Sequence, residues 1–245
     1  ALAAPPAETM PADAASLRRF EGYYHDANPR NAVLEAVEFP TGGRRVRVED
    51  GRLVMTPIFG QAAPLVPVND ALFRREHELT ASMAFTTVDG GPVLAGPDVY
   101  AEKRARGPIE ALRLGLVLAL IGVAVAPLVA VRHAWRHRGR VGPGTGVLVV
   151  VWTLALGALL TIAWSASTAA VTELAVPGGR ALGLFAASVV HPLLAFALLP
   201  LTARAWTRGL RGGFAMFAMM VALAHSGLAG YLGWWGLVAF RSWTY

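Results

Sequence analysis

The chain has 245 residues, 55% hydrophobic and only 16% charged, with a formal net charge of +6 and no cysteine. That composition is too apolar for an ordinary soluble domain, and without cysteine there is no disulfide framework. The imbalance is local: residues 1–108 carry 12 basic and 14 acidic side chains (net −2), residues 109–245 carry 10 basic and 2 acidic ones (net +8).

The opening "ALAAPPAETMPADAA" is rich in alanine and proline and lacks apolar periodicity, so residues 1–16 are expected to form a flexible linker. It has neither an initiator Met nor a signal-like apolar core, so a removed leader or a longer upstream portion is expected. From residue 17 to about 105 the pattern becomes short alternating runs: "AVLEAVEF" (32–39), "RRVRVED" (44–50), "RLVMTP" (52–57), "ALFRREHE" (71–78) and "ASMAFTTV" (81–88). Val46 and Val48 alternate with Arg45, Arg47 and Glu49, the period of a strand with one wet face. "PTGG", "EDG", "VND" and "VDGG" supply tight-turn chemistry between runs. Seven or eight strands over roughly 85 residues predict a small antiparallel β-barrel, a lipocalin-like meander whose interior is filled by its own side chains.

"LRRFEGYY" (17–24), with Phe20, Gly22 and Tyr24, followed by "DGRLVM" (50–55), "APLVPVNDALFRR" (63–75) and "MAFTTVDGG" (83–91), resembles the carboxy-terminal β-barrel domain of beta-lactamase-related serine hydrolases. The resemblance covers residues 17–105 and extends to the transmembrane tail that some of those proteins carry. It implies an accessory barrel and assigns no catalytic residue. The S-x-x-K nucleophile motif of that family is absent: the one lysine is Lys103, and three residues before it stands Tyr100, in "YAEK".

Four apolar runs follow, about 111–131, 146–169, 181–203 and 214–237. Each is long enough to cross about 30 Å of hydrocarbon as a helix of roughly 20 residues. Backbone polar groups have no partner in lipid except one another, so the runs are expected to be helical, with kinks at Pro127 and Pro192. Between the first two lies "RHAWRHRGR", with Arg132, Arg136, Arg138 and Arg140; the third connection carries Arg204, Arg208 and Arg211. The second connection has only Arg180, and the tail only Arg241. This alternation predicts arginine-rich loops in the cytoplasm. The barrel and carboxy terminus are then on the periplasmic side of a bacterial inner membrane. Lys103, Arg104 and Arg106 run against the rule, which weakens when a whole domain is translocated.

Other readings of the basic loop are poorly supported. No nucleic-acid-binding fold accompanies it, and His133 and His137, spaced i, i+4, lack the further ligands a metal centre needs. "GPGTG" (142–146) has no preceding strand and no following lysine, and "REHE" (75–78) lies on an expected strand.

Within the membrane part, His191 and His225 fall near mid-bilayer at similar depth. They suit an interhelical hydrogen bond to Ser188, Ser226 or a carbonyl freed by Pro192, or ligation of haem or a (bacterio)chlorophyll-type pigment. No other cofactor is expected. Ala218, Ala222, Ser226 and Gly230 form a small-residue ridge for close helix packing. Trp206, Trp234, Trp235 and Trp243 read as an aromatic belt. Arg113 is expected to snorkel or to pair with Glu110, and Thr161, Ser165, Ser167 and Thr168 to bond to their own helix.

The expectation is a non-catalytic integral membrane protein, an accessory or scaffolding subunit with a periplasmic β-barrel and a four-helix transmembrane bundle. Its partners are the lipid bilayer and other membrane-protein subunits, not nucleic acid. Two alternatives stay open: the carboxy-terminal portion of a membrane-anchored serine hydrolase, and a pigment or haem carrier using His191 and His225.

Overall fold

The computed structural model describes residues 13–27, 36, 39–97, 99–137, 143–168, 171–174, 176–210 and 212–239. The chain divides into two compact units, one ending at Arg113 and the other starting at Leu114.

The first unit is a closed eight-stranded antiparallel barrel in which every strand pairs with its sequence neighbours and β1 pairs with β8. A helical turn α1 (Ala14–Leu17) and a 3-10 turn (Arg18–Phe20) lead into it. The strands are β1 (Gly22–Asp26), β2 (Arg44–Glu49), β3 (Arg52–Pro57), β4 (Ala63–Pro67), β5 (Leu72–Arg75), β6 (Met83–Val88), β7 (Gly91–Gly96) and β8 (Val99–Arg104). Alternation directs Tyr24, Val46, Leu53, Met55, Leu65, Phe73, Met83, Phe85, Leu94 and Ala101 into one core. The register stacks them across strands, with Val46 opposite Met55, Leu53 opposite Leu65 and Phe85 opposite Leu94. Leu17 and Phe20 close the core from the amino-terminal side, Phe20 meeting Phe73 edge-on at 5.4 Å and Phe85 at 4.6 Å. Asp50–Gly51 and Asp89–Gly90, at the β2–β3 and β6–β7 hairpins, all take positive φ. That is the backbone a two-residue primed turn requires.

Three sequence expectations need correction here. Residues 14–16, placed in the linker, belong to a helical turn that ends at Leu17. Ala36 and Phe39, placed on a strand over 32–39, are helical; glutamate and alanine at that spacing suit a helix as well as a wet-faced strand. The strand expected over 71–78 stops at Arg75, where Glu78 folds back on its backbone. Residues 1–12, Arg138, Arg140, Arg211, Arg241 and Trp243 lie outside the described residues.

After the barrel come α2 (Arg106–Arg136), α3 (Pro143–Thr168), the short α4 (Val171–Leu174), α5 (Gly179–Thr207) and α6 (Gly212–Trp234). The four long helices are long and apolar enough to cross a membrane. Pro127, Pro192 and Pro200 lie inside α2 and α5, where each lacks the N–H that would donate to the preceding turn. In the second unit α3 packs on α5 and α5 on α6. Ala126, Ala130, Leu148, Trp152, Leu198, Ala205, Phe214, Ala218 and Ala222 share one buried cluster.

Candidate functional site

The long helices of the second unit are apolar along their middles, so buried polar groups there are where chemistry would concentrate. His191 on α5 and His225 on α6 are both fully buried. They face each other, with His225 Nδ1 3.4 Å from His191 Nε2 and ring centroids 5.6 Å apart at 49°. Alanine surrounds them: Ala187, Ala195, Ala222 and Ala229 are buried on the same two helices and let the backbones approach.

Between two neutral imidazoles one nitrogen donates and the other accepts, so exactly one N–H is shared. The separation exceeds the usual N–H···acceptor distance of about 2.9–3.0 Å. The outer nitrogens, His191 Nδ1 and His225 Nε2, have no hydrogen-bond partner among the described residues. One of them therefore carries a proton and the other a lone pair. The pair is a neutral polar unit with one N–H between the rings, one donor at one outer end and one acceptor at the other. A planar macrocycle between the facing nitrogens would require α5 and α6 to part.

The polar residues expected to partner the histidines bond elsewhere. The Ser188 hydroxyl donates to the Phe185 carbonyl at 2.8 Å, and the Ser226 hydroxyl crosses to the Ala195 carbonyl at 3.2 Å. Thr161, Ser167 and Thr168 donate to carbonyls of their own helix. Of the small-residue ridge, Ala218 and Ala222 are buried inside the unit and Ser226 bonds to α5, while Gly230 is exposed. Trp206 and Trp234 are exposed at helix ends, whereas Trp235 is half-buried against Tyr231. Trp152 and Thr202 went unremarked in the sequence, yet both are buried with a polar atom lacking a partner among the described residues. Their spacing from Leu148 and Leu198, one helical turn, was the available signal.

In the first unit the densest polar arrangement centres on Arg113, in the third turn of α2. It pairs with Glu110 at 3.1 Å and donates to the Pro40 carbonyl, to the Tyr23 hydroxyl at 3.3 Å and to the Gly42 carbonyl at 3.5 Å. The pairing with Glu110 was legible from the i, i+3 spacing; the bonds to residues 40–42 were not. Beside it His25 is buried, Nε2 2.7 Å from the Phe39 carbonyl and Nδ1 3.0 Å from that of Asp26. Arg44 on β2 meets Asp26 on β1 at 3.2 Å, and burial pulls its guanidinium below the usual arginine range while Asp26 pushes back. These contacts fasten residues 39–42, just before β2, to β1.

His133 and His137, considered as metal ligands and set aside, stack in series, 4.6 Å apart, with His133 lying flat on Phe214 at 3.9 Å. Among the described residues no three of His, Asp and Glu come together as a metal cage. No family model matches this chain, and neither a curated protein nor a solved structure is similar to it.

Proposed function

We propose that the chain is a non-catalytic membrane protein, an accessory or scaffolding subunit that holds a rigid β-barrel at the surface of a larger membrane assembly. The observation that carries this reading is where apolar surface is left uncovered. In the most apolar stretch of α2 only 17% is buried, against 39% in α5 and in α6. Leu114, Leu118, Ile121, Val125 and Leu128 on α2 are all exposed. Such a helix offers its face to lipid or to a helix of another subunit. Meanwhile the barrel core is taken up by Tyr24, Phe73, Leu53, Leu65 and Met83, which favours a rigid platform over a ligand carrier.

The charge alternation of the helix connections supports an orientation with the arginine-rich end in the cytoplasm and the barrel in the periplasm of a bacterial inner membrane. Isolation of the full chain in mild detergent tests the role. Stoichiometric co-purifying membrane subunits are the expected result, and a stable lone monomer under the same conditions overturns it.

A second reading, the carboxy-terminal portion of a membrane-anchored serine hydrolase, draws on Phe20, Gly22 and Tyr24. These residues open β1 of an eight-stranded barrel followed by membrane helices, the arrangement the resemblance implies. Reading the coding frame upstream of Ala1 decides it: an S-x-x-K domain in frame supports it, and a cleavable leader directly before Ala1 removes it.

A further inference from the structure

The arginines at one end of the helix bundle have no counter-charge in their own unit. After Glu110 the sequence holds one acidic residue, Glu173, and its carboxylate is held by Arg180 at 2.6 Å. Glu110 likewise serves Arg106 at 3.0 Å and Arg113 at 3.1 Å. Arg132 and Arg136, in the last turns of α2, and Arg204 and Arg208, at the end of α5, are exposed and form no ion pair among the described residues.

Packing brings these two helix ends together. Ala130, Leu148, Ala205 and Phe214 lie in one buried cluster, and the His133 ring stacks on Phe214 with 9° between the planes. Four guanidiniums therefore share one end of the bundle. A guanidinium does not shed its proton, so this charge must be balanced from outside the chain. Trp135 and Trp206 are exposed at the same end, and indole rings favour the headgroup level of a bilayer.

We propose that this end is a binding surface for anionic phospholipid. The headgroup phosphate accepts charge-assisted hydrogen bonds from Arg132, Arg136, Arg204 and Arg208, and the acyl chains lie along the exposed Leu128 and Val131 below them. A zwitterionic lipid brings its own cation and leaves the guanidiniums uncompensated. A lipid fits better than a nucleic acid because the charges cap apolar helices and are flanked by exposed leucine, valine and tryptophan. The proposal is independent of which subunits the protein joins.

The test uses the full chain in a mild non-ionic detergent, incubated with equal amounts of phosphatidylglycerol and phosphatidylcholine. The lipid retained per chain after gel filtration is measured by mass spectrometry. Phosphatidylglycerol is expected to be retained in excess, with affinity falling roughly fivefold for each arginine removed. The combined variant Arg132→Gln, Arg136→Gln, Arg204→Gln, Arg208→Gln should retain the two lipids equally, and the matching lysine variant should keep the preference. Arg180→Gln, at the opposite end, should change nothing. Should the fourfold variant fail to fold, Arg204→Gln with Arg208→Gln, checked for helix content by circular dichroism, carries the test. Equal retention by the unaltered chain, a preference that survives the glutamine changes, or displacement of the lipid by a DNA duplex at equal phosphate concentration overturns the proposal.

Discussion

The Arg113 guanidinium stands 3.3 Å from the Tyr23 hydroxyl, and Tyr23 in turn donates to the Gly42 carbonyl at 3.1 Å. A side chain from the start of α2 thus ties residues 40–42, just before β2, to β1. Arg113→Ala removes the guanidinium donor to the Pro40 carbonyl and leaves the Gly42 carbonyl with the Tyr23 hydroxyl alone, and should destabilise the barrel by about 1–3 kcal/mol. Arg113→Lys should restore only part of this, because a point charge cannot span acceptors that a planar fork reaches together. Thermal unfolding followed through the barrel tyrosines in detergent measures both; equal melting temperatures for all three proteins would remove the role.

The two facing histidines make a separate, intramembrane prediction. His191→Leu or His225→Leu alone leaves one imidazole with neither nitrogen paired in an alanine seam, whereas the double change removes both polar groups. A double-mutant cycle in detergent unfolding should therefore give a coupling of about 0.6 kcal/mol, and up to about 1.7. Strict additivity would show that the rings do not interact.

Glu78 contributes to the acid side of barrel stability. The Ser82 hydroxyl, then the Arg75 backbone N–H and the Arg75 charge, hold its carboxyl below the ordinary glutamate value, against a smaller opposing effect of burial. Its contribution is thus fully present above the unfolded glutamate range and is lost as pH falls through the lower folded value. Glu78→Gln should flatten that part of the melting profile, on the acid side of the ordinary glutamate range. A profile with the same slope in both proteins would contradict this.

Tyr24 sets the alkaline side. Burial pushes its phenol up from 10.0 to about 12, so the neutral form belongs to the folded barrel. Its contribution is complete below pH 10 and is lost as pH rises towards 12, a difference of about 3 kcal/mol across two pKa units. Tyr24→Phe gives up the hydrogen bond to the Phe20 carbonyl, 2.9 Å long, at a cost of about 1 kcal/mol near neutrality. In exchange it should remove this alkaline loss, which circular dichroism against pH can follow.

Local chemistry explains which parts of the structure could be read in advance. The β2–β3 hairpin was legible because Asp50–Gly51 and the Val46–Val48 alternation act over a few residues. The membrane helices were legible because hydrocarbon leaves the backbone no alternative. The end of α6 was placed three residues late, at 237 rather than Trp234. Gly236 takes φ 69°, Leu237 donates back to Leu232 at 2.8 Å and Gly236 to Gly233 at 3.0 Å. This glycine-terminated C-cap is written in "GWWGL", but apolar residues on both sides hide it from a count of hydrophobicity.

The histidine pair shows the limit more clearly. Depth in the bilayer follows from position along each helix, so similar levels for His191 and His225 could be inferred. Which way each ring turns depends on how α5 and α6 rotate against each other, and small residues distributed all round α6 leave that rotation open. For the same reason the spacing could not separate Ser188 and Ser226 from the histidines themselves as partners.

Joining β1 to β8 has a consequence for how the chain matures. Tyr24 pairs with Lys103, 79 positions later, so the ring cannot shut until the segment immediately before the first membrane helix has been made. Contacts so distant in sequence slow folding, because the intervening chain must be ordered before they form. Barrel completion and delivery of the first helix to the bilayer are thereby bound into one late event of synthesis, and a chain arrested before Val99 would leave Gly22–Asp26 and Gly91–Gly96 without their shared neighbour.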